Sequence, residues 1–333
     1  MSWLKMRAWW VVVLWMTVMT VQGAPAAPRL GTVTLGGQPY ISLLGWGSIY
    51  GLGNRWDAKS SQLQLTNRWI RLEFKADTRR VEVDDVTVTL SFPVLRVGDR
   101  LYLALRDEET VLRPLLKPPR FPPGRKVTTV AISPGHGGKD PGHIEGTRTE
   151  KYYTLQLAQE VQRQLQKSGL KVVMARSSDE FVSLEDRPAI ARKRGADLYL
   201  CIHFNSGGGA EAAQGLETYC LTPSGASSTN DRGNSGGAAR TGNRWDHENL
   251  QLAYQLHRAI LSEIDFADRG VRHSRFKELA LAEMPAAYIE GGFMSNREDA
   301  RRIFSDSGRA KFAGAIVDGV MAFKRLVERG QPE

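Results

Sequence analysis

The chain has 333 residues, of which 41% are hydrophobic and 24% charged, with a formal net charge of +9 and two cysteines. That length holds two domains and a sizeable core, and that composition excludes a disordered chain. Two cysteines exclude a disulfide scaffold. The basic balance comes without any nucleic-acid motif, and acids are scattered among the lysines and arginines. It points to anionic envelope polymers or membrane surfaces and away from nucleic acid.

At the start of the chain, Lys5 and Arg7 precede an apolar run over 9–16, and small residues follow at Gly23, Ala24, Ala26 and Ala27. This is the layout of a secretory signal peptide, placed at residues 1–26. Thr17, Thr20 and Gln22 keep the apolar stretch short of the ~20 residues a spanning helix needs. The expected mature protein is periplasmic or secreted, has no stable membrane span, and carries a formal charge of +7 once Lys5 and Arg7 are gone.

Residues 28–116 contain short alternating runs such as 70–74, 81–83 and 86–90, separated by turn residues. They predict a small β-rich domain. The stretch 117–126 carries four prolines and reads as a stiff linker.

From 127 to 329 strand and helix alternate. Strands are expected at 127–133, 172–175, 198–204, 216–221 and 286–290, and helices at 151–167, 184–194, 248–264 and 310–327. The helix over 151–167 places Leu157, Ala158, Val161 and Leu165 on one face; the last helix does the same with Phe312, Ile316, Val320, Phe323 and Val327. The predicted fold class is α/β, a mostly parallel sheet flanked by helices, preceded by the small β-rich domain. Residues 222–247 are rich in glycine, serine and asparagine and predict a mobile loop or flap. Cys201 and Cys220 sit in apolar strand contexts and are expected as buried free thiols, a bridge between them being the alternative.

The chemistry converges from four segments. His136 follows the first strand of the α/β part in a glycine turn, Glu150 opens a helix, His203 closes the third strand, and Glu290 closes the last. In open α/β sheets, ligands sit beyond the carboxyl ends of the strands. Two histidines and one carboxylate satisfy a catalytic zinc and leave a position for water. His136, Glu150 and His203 are the expected Zn2+ ligands, with Glu290 as the carboxylate that moves protons. A core histidine held by ordinary hydrogen bonds is the competing reading of His203. Glu290, between Ile289 and Gly291, would be costly to bury without a partner.

These residues lie in five ordered motifs: 135–142 (GHGGKDPG), Glu150-Lys151, 183–187 (SLEDR), 196–205 (ADLYLCIHFN) and 284–296 (MPAAYIEGGFMSN). With them, residues 126 to about 327 resemble the zinc-dependent N-acetylmuramoyl-L-alanine amidases of bacterial cell-wall turnover. The resemblance implies zinc on His136, Glu150 and His203, and Glu290 as catalytic acid/base. It implies peptidoglycan as substrate, cut at the amide joining the lactyl group of N-acetylmuramic acid to the L-alanine of the stem peptide, and leaves room for a protein activator. A zinc peptidase cutting within the stem peptide and a catalytically silent wall-binding protein are the alternatives.

His143 stands where relatives often have a small residue and reads as a loop histidine, and Gly291-Gly292 departs from an aliphatic residue followed by one glycine. Asp140 is expected behind a ligand, and Arg187 in a structural ion pair. The loop over 222–247 lies where some relatives carry an inhibitory segment, although its composition is not helical. Residues 28–116 resemble the stalk-like domain at the front of some copper amine oxidases, but contain neither histidine nor cysteine, so no copper chemistry follows. Wall attachment or spacing is the expected role.

Overall fold

The computed structural model describes residues 31–57, 59–207, 213–230 and 237–329. The predicted signal peptide lies outside them, as do residues 233–236 at the centre of the glycine-rich loop.

The N-terminal part begins with β1 (Thr32–Leu35), β2 (Gln38–Ser42) and helix α1 (Leu43–Ile49). A meander follows: β3 (Gly53–Asp57), β4 (Gln62–Thr66), β5 (Arg71–Lys75), β6 (Arg80–Val83) and β7 (Val86–Thr89). Strict alternation makes β4, β5 and β6 two-faced: Leu63, Leu65, Leu72, Phe74, Val81 and Val83 are buried, while the residues between them face outward. Asp84 and Asp85, both at positive φ, close the β6–β7 turn so that Val83 pairs with Val86, the two-residue hairpin geometry that matches strand twist. Next come β8 (Leu95–Val97), β9 (Arg100–Ala104), α2 (Leu105–Asp107), a π turn over Glu108–Leu112 and α3 (Arg113–Leu116). Strands β1, β2, β9 and β8 form a separate four-stranded sheet.

The second part comprises β10 (Thr129–Pro134), the two-residue strands β11 (Ile144–Glu145) and β12 (Arg148–Thr149), α4 (Glu150–Lys167), β13 (Lys171–Met174), α5 (Asp186–Lys193), β14 (Leu198–Asn205) and β15 (Leu216–Leu221). It continues with α6 (Asp246–Glu263), β16 (Asp268–Ser274), α7 (Lys277–Leu281), β17 (Ala286–Phe293), α8 (Arg297–Phe304) and α9 (Asp306–Val327). The pairs β13·β10, β10·β14, β14·β17 and β15·β16 are parallel, and β15·β17 is antiparallel. The expected α/β sheet flanked by helices is present, with one reversed pair inside it.

The sheet does not end with the α/β part. Its order is β13-β10-β14-β17-β15-β16-β7-β6-β5-β4-β3, joined where Val271 of β16 pairs with Val88 of β7. Strand β16 was not legible in the sequence because Val271 is the single strong apolar residue in Asp-Arg-Gly-Val-Arg-His-Ser. The back face of the whole sheet is one continuous core that includes Leu72, Val88, Val271, Ile202 and Ile289 under α4, α6 and α9. A smaller cluster on the front face, including Tyr199, Cys201, Tyr219 and Tyr288, lies under α5 and α7.

The proline-rich stretch is docked: Phe121 N donates to Val327 O at 2.8 Å, and its ring meets Phe323 edge-on. The end of the glycine-rich loop is helical, with a 3-10 turn over Thr241–Trp245 leading into α6. Cys201 and Cys220 are both buried and free. No helix of the described residues is long and apolar enough to cross a membrane.

Candidate metal centre

Strand β10 delivers the chain into a tight turn at Gly135, and His136 adopts a left-handed φ of 60°, a conformation that costs a non-glycine residue energy and has to be held by its surroundings. Two buried arginines hold it. Arg176 donates to Pro134 O at 3.1 Å and Gly135 O at 2.7 Å; Arg187 donates to Pro134 O at 2.5 Å and His136 O at 2.6 Å. Arg187 thus anchors backbone carbonyls, where the sequence suggested an ion pair. Arg176 escaped the sequence reading altogether, since an arginine after a strand resembles any surface residue. Its guanidinium is depressed to about 10 by burial and then by the charge of Arg187.

Glu150, the first residue of α4, is buried between the two histidines. Its Oε2 lies 3.0 Å from His136 Nε2 and its Oε1 3.0 Å from His203 Nδ1. The backbone N–H groups of His143 and Phe204 donate to the same two oxygens. Burial opposes ionisation of Glu150, but the hydrogen bonds and charges of His136 and His203 outweigh it and hold the carboxyl far below its usual range. For His136 burial again works in the opposite direction, and Glu150 and Asp140 together raise its pKa. Asp140 Oδ2 sits 2.8 Å from His136 Nδ1, on the side of the ring away from Glu150, and so fixes ring orientation and tautomer.

One donor atom from each of His136, Glu150 and His203 lies within 4.8 Å of the others. Two imidazoles and a carboxylate around one point suit zinc. His203 is stacked on Tyr288, and its Nε2 is buried without a hydrogen-bond partner among the described residues. Two glycines make the approach feasible: a Cβ on Gly135 would overlap the His203 ring, and one on Gly142 would overlap His136 and Glu150. His143 pairs with Glu145 at 3.2 Å and offers its backbone, not its ring, to Glu150.

Glu290 lies in register with His203 on the neighbouring strand. Its Oε2 is buried and has no hydrogen-bond partner among the described residues. Burial, followed by the carboxylates of Glu150 and Glu217, pushes its pKa well above the usual carboxylate range, with a hydrogen bond involving Tyr288 opposing.

Glu217, which pairs with Glu290 from the other side, is a site-flanking residue that sequence reasoning missed. Its Oε1 receives Arg269 and Arg272, both at 2.7 Å, and its Oε2 receives Tyr219 at 2.7 Å and Asn205 at 3.2 Å. An acid in the otherwise apolar run Leu216-Glu-Thr-Tyr-Cys-Leu221 was the available signal.

With this geometry, the sequence profile of the N-acetylmuramoyl-L-alanine amidases matches residues 130–322. A sporulation-specific N-acetylmuramoyl-L-alanine amidase of Bacillus subtilis is 34% identical over 198 residues, which cover 58% of this chain and 67% of that protein. The crystal structure of an N-acetylmuramoyl-L-alanine amidase from Clostridium difficile 630 superposes with a TM-score of 0.51 at 30% identity, over 60% of this chain and 97% of that one. The amidase AmiC2 of Nostoc punctiforme gives 0.50 at 31% identity, over 60% and 98%. Fold, matched segment and sequence agree: the chain belongs to the N-acetylmuramoyl-L-alanine amidase family.

Proposed function

We propose that this protein is a peptidoglycan hydrolase that cleaves the amide between N-acetylmuramic acid and the L-alanine of the stem peptide. The observation that carries this reading is the half-buried carboxyl of Glu290, whose Oε2 is buried and without a hydrogen-bond partner among the described residues, in register with His203 beside a compact His-Glu-His donor set. His136, Glu150 and His203 would hold zinc, which when bound polarises a carbonyl and makes water more acidic. Glu290 is the acid/base: it takes a proton from the attacking water and delivers it to the departing nitrogen. Zinc among the three donors would offset the repulsion from Glu150, which adds to burial in raising the pKa of Glu290. Asp140 keeps the His136 ring in place, and Arg176 and Arg187 keep its backbone in place.

The protein is further proposed to act in the periplasm or outside the cell after loss of residues 1–26, with residues 28–116 as a wall-facing domain, 117–126 as its connector and 127–329 as the catalytic domain. Mass spectrometry of soluble products from purified peptidoglycan tests the activity, run with zinc, with chelator and with Glu290→Ala. Intact stem peptides beginning with L-alanine in the zinc sample alone support the reading; truncated stems would make it a peptidase, and no product a binding protein or an enzyme lacking its activator.

A further inference from the structure

The front face of the eleven-stranded sheet carries more than the metal centre. Register partners place His203, Glu290 and Glu217 side by side on β14, β17 and β15. Tyr219, two residues on from Glu217, pairs with Arg272 of β16, whose guanidinium reaches back to Glu217 at 2.7 Å. Beyond the Val271–Val88 junction, the same face continues through Thr87, Glu82, Glu73, Gln64 and Arg55, successive register partners on β7 to β3. The opposite face of β4–β7 is core, and on the row itself Thr87 is buried, Glu73 and Gln64 are half-buried, and Glu82 and Arg55 are exposed.

The row is concave in two places. A hollow of about 500 Å³ is lined by Gln62, Glu73, Lys75, Arg80, Glu82 and Arg272 among other polar side chains, and a second of about 180 Å³ shares Gln62 and Glu73 with it. No apolar side chain lines either. Small-molecule pockets are mostly apolar, and stable protein interfaces have an apolar centre. A surface of alternating donors and acceptors without an apolar floor fits a hydroxyl-rich polymer. Arg272 belongs both to the larger hollow and to the group around Glu217, so one side chain links the hollow to the strand beside Glu290. Four strand spacings separate Glu290 from Glu82, roughly 20 Å along the sheet.

We propose that the front face of β4–β7, with Arg272, is a second binding surface for the glycan strand of the substrate, holding the sugar chain as it leaves the scissile amide. The proposal rests on the peptidoglycan reading above. It makes the N-terminal strands an extension of the substrate cleft, beyond a tether.

The test uses the full chain and two readouts. In co-sedimentation with glycan strands stripped of stem peptides and coupled to beads, the wild-type protein binds, and the Glu73→Ala/Arg80→Ala/Glu82→Ala variant loses about 10-fold in affinity. On polymeric peptidoglycan the same variant shows a KM raised about 10-fold at unchanged kcat, while hydrolysis of a soluble disaccharide-peptide monomer is unchanged. Gln62→Trp, which places a bulky ring at the residue both hollows share, reproduces the pattern. Equal sedimentation of wild type and variants, or equal loss on monomer and polymer, overturns the proposal. Absence of stem peptides from every wild-type digest would overturn the amidase reading, and sedimentation would still decide the surface.

Discussion

His203 and Glu290 face each other as register partners on adjacent parallel strands, β14 and β17. A sheet ladder, not a loop, therefore sets the spacing between a candidate metal donor and the proposed acid/base. The ladder keeps its geometry when either side chain is changed, so the two roles can be separated by mutation.

Glu290→Ala is expected to retain one zinc per chain by elemental analysis while turnover falls about 10²–10⁴-fold. Loss of zinc together with activity would make Glu290 a ligand.

Asp140→Ala leaves all three donors in place and removes the partner of His136 Nδ1 together with the acceptor of Gly142 N. Its zinc affinity, read by competition with a chromophoric chelator, should fall about 10–100-fold. An unchanged affinity would show that Arg176 and Arg187 alone orient the ring.

Gly135→Ala introduces a methyl group into the His203 ring. The ring has to leave its stack on Tyr288, and zinc binding should be lost with little change in far-ultraviolet circular dichroism. Gly135 is not in the left-handed region, so the loss comes from the overlap with the ring and not from backbone strain.

Acid sensitivity is predicted at the junction of the two parts. His273 on β16 is fully buried with Nδ1 unpartnered among the described residues, and burial, then the Arg79 charge, pushes its pKa down to about 4. The unfolded chain protonates this residue near pH 6.5. Stability from the neutral ring is complete above that pH and is lost as pH falls toward 4, by about 3 kcal/mol. Asp107 and Asp246, both raised to about 6 by burial, contribute with the opposite sign. The readout is therefore the difference in urea-unfolding free energy between wild type and His273→Gln, which should shift by that amount between pH 7 and pH 4.

Residues 117–329 expressed alone would expose the β16 edge and the core side of Val271 and Tyr254, whose hydroxyl donates to Val83 O at 3.1 Å in the intact chain. An open edge beside apolar surface promotes association. The truncated protein should unfold at lower temperature and scatter more light than the full chain at equal concentration; equal behaviour would make the junction dispensable.

Much of the candidate site was legible because its residues contradict their local pattern. His136 sits in a glycine turn, and Glu290 stands in an apolar strand where a carboxylate without a task is costly to bury. Strands such as 216–221 and the apolar face of the last helix were equally plain, since burial against one core imposes a period on the sequence. Arg176, Glu217 and β16 were not legible. Arg176 and Glu217 become buried only through partners far away in the chain, Gly135 for the one and Arg269 and Arg272 for the other. Strand β16 owes its place to neighbours on both sides and not to its own alternation. Local chemistry and periodicity pointed to the candidate metal donors and the acid/base candidate and determined the α/β class; tertiary structure alone decided that the N-terminal strands extend the same sheet, because pairing between Val88 and Val271 is a contact across 183 residues that no local pattern encodes.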